Sequence, residues 1–221
     1  MQKDILKNFK SVKNNILKIC KRINRNPEEI NIVAVSKTQP IEKIKILVEA
    51  GHYCFGENRL EEIKEKWKNF NEKNINIHFI GALQSKKVKD IIDKVNVIET
   101  LDTESSLKKI ANLKLNNNKF NPKLFIQINL GSEMQKRGIP INETENFLKA
   151  CREKYKLKID GGMCIPPNNS SPEKYFQVLR DVCMLNNIKE VSMGMSNDYD
   201  KAIELGSTNI RIGTIIFGKR N

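Results

Sequence analysis

Lys37 ends the short apolar run Ile32-Val33-Ala34-Val35-Ser36, and Thr38-Gln39-Pro40 stops that run. The run reads as a buried strand. The lysine stem would then follow the strand, and its amine would open at the strand's C-terminal end. Desolvation there can strip the proton and leave a nucleophile for an aldehyde. The competing reading is a strand-end lysine that snorkels to water. Two other segments carry chemistry of a different kind. Ser192-Met193-Gly194-Met195-Ser196-Asn197-Asp198 places two hydroxyls and a glycine just before a helical pattern. Such a loop can cradle an anion, or can be a Ser/Asn helix cap with Asp198 in the first turn. Arg211-Ile212-Gly213-Thr214 offers close backbone approach at Gly213 and a hydroxyl donor at Thr214. If Ile210 and Ile212 face outward, alternation turns Arg211 inward, and a buried arginine needs a partner. That partner is either a structural carboxylate or an acceptor atom on a ligand. Taken together, the three segments describe an aldehyde-bearing phosphate ligand.

The elements that would bring them together are legible as a repeating pattern. Apolar runs fall at 32–36, 53–56, 77–80, 97–100, 124–129, 159–163, 190–193 and 209–212. Helical patterns lie near 41–50, 58–70, 84–94, 103–115, 142–155, 172–186 and 197–205. Asp102 or Thr103 and Pro172 read as helix starts, and Gly51 and Gly206 as stops. This is strand then helix, about eight times, which demands parallel strands with crossover helices. An open doubly wound sheet is possible, but the eight-fold repeat favours a closed (β/α)8 TIM barrel. Its active face lies at the C-terminal ends of the strands, and a phosphate site commonly follows strands 7 and 8. An extra N-terminal helix is expected from the stripe Ile5, Phe9, Val12, Ile16, Ile19 and Ile23. That basic stretch lacks an apolar h-region and a small-residue cleavage site, so it reads as structural rather than targeting. Asn116-Asn117-Asn118-Lys119 reads as a loop inside one domain spanning residues 1–221.

Composition bounds the function. The chain has 221 residues, 39% hydrophobic and 29% charged, enough for a core without disulfides or metal. No apolar run approaches the ~20 residues that span a bilayer. Net charge is +13, which raises a nucleic-acid reading. The excess is mostly lysine, spread along a chain also rich in Asn and Ile, and AT-rich codons produce that bias without a partner. No aromatic-interleaved basic block supports specific nucleic-acid binding. Cys20, Cys54, Cys151, Cys164 and Cys183 are odd in number and scattered, which fits a reducing, cytoplasmic setting and no zinc site. With His52 and His78 the only histidines, a His-rich metal site is excluded. His78 reads as a strand-end residue with a satisfied hydrogen bond, Glu57 as a brace for its loop, and Cys164 as buried beside the turn at Pro166-Pro167.

The motifs together resemble the pyridoxal phosphate homeostasis proteins, also called the proline synthetase co-transcribed family. The likeness runs nearly end to end. It rests on Val33-Ala34-Val35-Ser36-Lys37, Phe55-Gly56-Glu57-Asn58, His78-Phe79-Ile80-Gly81 with Leu83-Gln84-Ser85, and Ser192-Met193-Gly194-Met195-Ser196. Arg211-Ile212-Gly213-Thr214, with Ile216-Phe217-Gly218-Lys219-Arg220, completes it. The resemblance implies a barrel related to that of fold-type III alanine racemases, binding pyridoxal 5′-phosphate. Lys37 matches the lysine that forms the internal aldimine, and Arg211 matches the arginine facing the pyridine nitrogen. Ser192, Ser196, Gly213 and Thr214 match phosphate-binding positions, Met195 lines the same loop, and Asn58 matches a residue near the cofactor ring. A permanent cation at the pyridine nitrogen disfavours ring protonation and mutes amino-acid chemistry. Lys86 stands where the family usually has asparagine, and Ile77 where it has tryptophan. The strand-5 loop keeps Glu133, Lys136 and Gly138 in an altered context, and the tail is short.

The expected function is a non-catalytic carrier that holds the cofactor on Lys37, buffers it and delivers it. Transient contacts with enzymes that use the cofactor would follow, and a monomer is expected. The alternative is an amino-acid racemase. Racemisation needs a base on each face of the ligand's Cα. In that family the second base is a tyrosine from an appended β-domain. The chain ends at Asn221 just past strand 8, and Tyr53, Tyr155, Tyr175 and Tyr199 fall on no matching motif.

Overall fold

In the computed structural model the apolar runs become eight parallel strands closed into a barrel. Residues 2–68, 70, 74–115, 122–131, 137–167 and 171–218 are described. The expected loop at 116–119, Glu133 and Lys136, and Lys219-Arg220 lie outside them. The strands are β1 (Asn31–Val35), β2 (Cys54–Glu57), β3 (Asn76–Phe79), β4 (Val97–Leu101), β5 (Lys123–Asn129), β6 (Gly161–Cys164), β7 (Glu190–Ser192) and β8 (Asn209–Ile212). They pair in the order β4-β3-β2-β1-β8-β7-β6-β5, and β4 also pairs with β5, which closes the ring. The two-residue strand Ile139–Pro140 adds beside β5.

Around the ring lie α1 (Gln2–Arg22), α2 (Ile41–Glu49), α3 (Leu60–Lys66), α4 (Val88–Ile92), α5 (Glu104–Leu115), α6 (Thr144–Lys149), α7 (Glu173–Leu185), α8 (Tyr199–Glu204) and α9 (Thr214–Phe217). Strands covered on both faces carry near-continuous apolar runs, which is why the sequence marks them so clearly. Register fixes which residues face inward. Ile32 pairs with Ile210 and Val33 with Arg211. Ile32, Ala34, Ile210 and Ile212 pack into the outer core beneath α1 and α2, so Val33 and Arg211 turn into the barrel.

The N-terminal stripe is a packing face. Ile5, Phe9, Val12, Ile16, Ile19 and Cys20 are buried on α1, in one cluster with residues of α2, α8 and α9. Burying each large aliphatic side chain contributes roughly 1.5–3 kcal/mol, enough to fix the helix to the barrel wall.

Several boundaries differ from the sequence expectation. The sixth strand starts at Gly161 rather than 159, and the Asp160 carboxylate accepts the Leu124 amide at 3.2 Å just before it. The helix expected over 58–70 ends at Lys66, with Trp67 as its C-cap packed between Phe55 and Phe70, ring centroids at 5.0 and 5.1 Å. The 84–94 pattern divides into a 3-10 turn at Ser85–Lys87 and α4. The 142–155 pattern divides into a 3-10 turn, α6 and a π-turn at Ala150–Lys154. No pattern announced α9.

Candidate functional site

The C-terminal ends of β1, β7 and β8 open into one cleft of about 550 Å³. Lys37 lines it from just past β1, Met195 and Ser196 from the loop after β7, and Arg211, Gly213 and Thr214 from β8 and the turn into α9. Lys37 is half-buried. Six of the eight residues singled out in the sequence therefore share one hollow. Asn58 follows β2 at the same mouth without lining the cleft, and its Oδ1 is buried with no hydrogen-bond partner. Ser192 lies below the cleft, fully buried. Its hydroxyl accepts from Arg211 Nη1 at 2.6 Å and donates to Glu99 Oε2 at 2.6 Å. Its side chain is thus committed to supporting Arg211.

Two glycines shape the loops. Gly194 has φ +90°, and a Cβ there would meet the Ala202 Cβ at 2.5 Å, so only glycine lets the β7 loop fold onto α8. At Gly213 a Cβ would stand 3.3 Å from Val35, beside the wall of the cleft. The loop between is closed by Asp198, whose carboxylate accepts the Met195 amide at 2.6 Å. Burial pushes the Asp198 carboxyl up, against the opposing pull of the Met195 amide and Arg211. At the rim, Lys201 pairs with Glu173 at 2.5 Å across α7 and α8.

Beneath the cleft runs a buried polar column. Arg211, 5% exposed, donates to Ser192 and, through Nη2, to the Cys164 carbonyl at 2.8 Å. Glu99 stands 3.7 Å from Arg211 Nη1 and accepts from His78 Nδ1 at 2.6 Å. One fully buried carboxylate thus serves two cations. Burial works against the charged form of His78, but the neighbouring Cys54 and Glu99 outweigh it and raise the imidazole to about 10. Burial likewise works against the Glu99 carboxylate, and His78, Arg211 and Ser192 outweigh it and hold its pKa down.

His78 therefore has its expected hydrogen bond, but it is buried in the barrel wall rather than at a strand end, and Nε2 has no hydrogen-bond partner. Glu57 is a buried brace at the end of β2, bonded to Ser36 Oγ at 2.7 Å. Cys164 is buried, and burial pushes its thiol up to about 12. Glu99 escaped the sequence reading. Its signal was there: a lone carboxylate inside the apolar run Val97-Ile98-Glu99-Thr100-Leu101.

Comparison with known proteins identifies the family and the fold. The family model for the alanine racemase N-terminal domain matches residues 8–221. The pyridoxal phosphate homeostasis protein of Haemophilus influenzae is 36% identical over 230 residues, covering 99% of this chain and 97% of that one. Among solved structures, an unknown protein from Bifidobacterium adolescentis shares the fold at a TM-score of 0.87, with 24% identity and coverage of 98% and 95%. PipY of Synechococcus elongatus PCC7942, solved with PLP bound, aligns at a TM-score of 0.77 and 25% identity, covering 92% of this chain and all of that one. The chain belongs to the pyridoxal phosphate homeostasis protein family.

Proposed function

We propose that this chain binds pyridoxal 5′-phosphate in the cleft at the β1, β7 and β8 ends, and holds it for supply to other proteins rather than for turnover. One observation carries the reading: a lysine amine, a buried guanidinium and two hydroxyls line the same hollow, in a chain of this family. The donor set fits the cofactor, and the cleft's size suits a small molecule. Pyridoxal phosphate supplies an aldehyde that condenses with an amine, and a phosphate dianion. Lys37 is the amine. Ser196 and Thr214 donate to the phosphate, Gly213 lets the backbone approach it, and Met195 lines the same loop. Arg211 is the cation for the pyridine nitrogen, with Ser192 fixing its orientation from below. Asn58, with its unpartnered Oδ1, stands near the ring.

A carrier role accords with the residues around the site. A racemase needs two bases on opposite faces of its substrate. Among the described residues lining the cleft there is no tyrosine and no histidine. We read the chain as a single domain, acting in the cytoplasm as a monomer with transient contacts to enzymes that use the cofactor. No described helix is long and apolar enough to cross a membrane.

The test is the absorbance spectrum of purified protein with pyridoxal phosphate, before and after borohydride, on wild type and Lys37→Ala. Wild type is expected to give a band that reduction fixes to the Lys37 peptide, and the variant to lose both band and label. Equal labelling and affinity in the variant would remove Lys37 from the site. Turnover of L-alanine to D-alanine at enzyme-like rates by wild type would overturn the carrier reading.

A further inference from the structure

The backbone of Lys37 is gripped on both sides by one ionic cluster. On the N-terminal side, Ser36 is fully buried and its amide donates to the Gly56 carbonyl at 3.1 Å. Its hydroxyl donates to Glu57 Oε1 at 2.7 Å, and its carbonyl accepts from Lys66 Nζ at 2.8 Å. On the C-terminal side, Thr38 has φ +62°, an uncommon conformation for a residue with a Cβ. Its amide donates to Glu62 Oε2 at 2.6 Å. Lys66 joins the two halves, 2.6 Å from Glu62 Oε2 and 3.2 Å from Glu57 Oε1. Glu62 and Lys66 are one turn apart on α3, with side chains 16% and 11% exposed, and Glu57 is fully buried.

Such a cluster is poorly explained as stability alone. It gathers two carboxylates, one fully and one largely buried, around one largely buried ammonium, and ionic groups of that kind seldom stabilise more than apolar residues in their place. It also holds a strained residue, which costs about 1–3 kcal/mol and persists only where the surroundings over-determine it. Both costs fall at the two peptide units that flank the reactive lysine. A small displacement there is carried along the side chain to the amine, and misplacing a reacting group by about 1 Å can cost a factor on the order of 100 in rate.

We propose that Lys66, Glu62 and Glu57 are positioning residues for Lys37: they fix its backbone on both sides so that the amine enters the cleft ready to react. The inference rests on the proposed function, in which Lys37 is the amine. It adds three residues from β2 and α3, none of which lines the cleft.

The experiment follows the rate of covalent capture of pyridoxal phosphate by stopped-flow absorbance on the full chain, with thermal midpoints measured alongside. Variants are Lys66→Met, Glu62→Ala and Glu62→Gln, with Ile91→Val, a core change on α4, as a stability control. Lys66→Met and Glu62→Ala are expected to capture about tenfold more slowly. Glu62→Gln can still accept the Thr38 amide and is expected to stay within about twofold of wild type. Ile91→Val is expected to lower the midpoint without slowing capture. If Glu62→Ala fails to fold, the contrast between Lys66→Met and Glu62→Gln decides. Wild-type rates in Lys66→Met and Glu62→Ala would overturn the clamp while leaving the carrier intact. So would slowing that merely tracks the thermal midpoint, as in Ile91→Val. Absence of any reducible adduct in wild type would overturn both.

Discussion

Glu99 holds two buried cations, Arg211 and His78, so a mutation there reaches both. Glu99→Gln would remove that carboxylate from both. Breaking a buried pair from one side typically costs about 3–5 kcal/mol. The variant is expected to lose stability of that order in urea denaturation. Its His78 imidazole, deprived of the carboxylate, should titrate below the wild-type value when followed by NMR. An unshifted His78 would mean that Cys54, not Glu99, dominates its charge state. At this scale the sequence was informative where alternation applied. Arg211 was placed inward by its isoleucine neighbours, and it is inward. For its partner the sequence allows either a carboxylate or a ligand. Glu99 is the carboxylate, with Ser192 and the Cys164 carbonyl alongside. Ser192 was assigned from motif alone, and motif cannot distinguish a hydroxyl that faces the cleft from one that points at the arginine below it.

The strands were legible and the helices less so, for one physical reason. A strand buried on both faces must be apolar along its length, so its run is visible in isolation. A helix end is set by what packs on it, as Trp67 shows at the end of α3. The start of β6 has a different cause. Phe125 of β5 fills the barrel interior, and a Cβ on Gly161, its partner in register, would lie 2.5 Å from the ring. On the next residue, a Cβ on Gly162 would lie 2.6 Å from Cys183 Sγ of α7. Two adjacent glycines thus bring β6 close to the ring on one face and to the helix on the other. Gly161→Ala is expected to cost about 1–3 kcal/mol through overpacking. Equilibrium denaturation would check this, and Gly161→Ala with Phe125→Leu should recover part of the loss. No recovery would mean that backbone conformation, not the ring, excludes the side chain.

Across the whole molecule the two histidines act in opposite directions. His52, beside Phe9 of α1, is lowered from 6.5 to about 4, chiefly by burial, with Lys13 adding to it and its hydrogen bond to the Cys54 carbonyl opposing. A depressed value means the folded state binds fewer protons, so this contribution is present above about 6.5 and is lost as pH falls toward 4. It amounts to roughly 3 kcal/mol. His78 is raised, so its contribution is complete below about 6.5 and is lost as pH rises through about 10. Urea midpoints across pH 4–10 are expected to fall on both sides of a maximum near neutrality. His52→Gln should flatten the acid side, and His78→Gln the alkaline side. A curve unchanged by either substitution would place the proton linkage elsewhere.

Arg211 extends from β8, bonds Ser192 of β7 and the carbonyl of Cys164 in β6, and lines the cleft. It works as a cross-tie at one height of the barrel wall. Transient openings of that wall therefore involve three neighbouring staves at once, and a ligand that engages the same guanidinium stiffens all three together. Filling the cleft and slowing the breathing of those three strands become a single event.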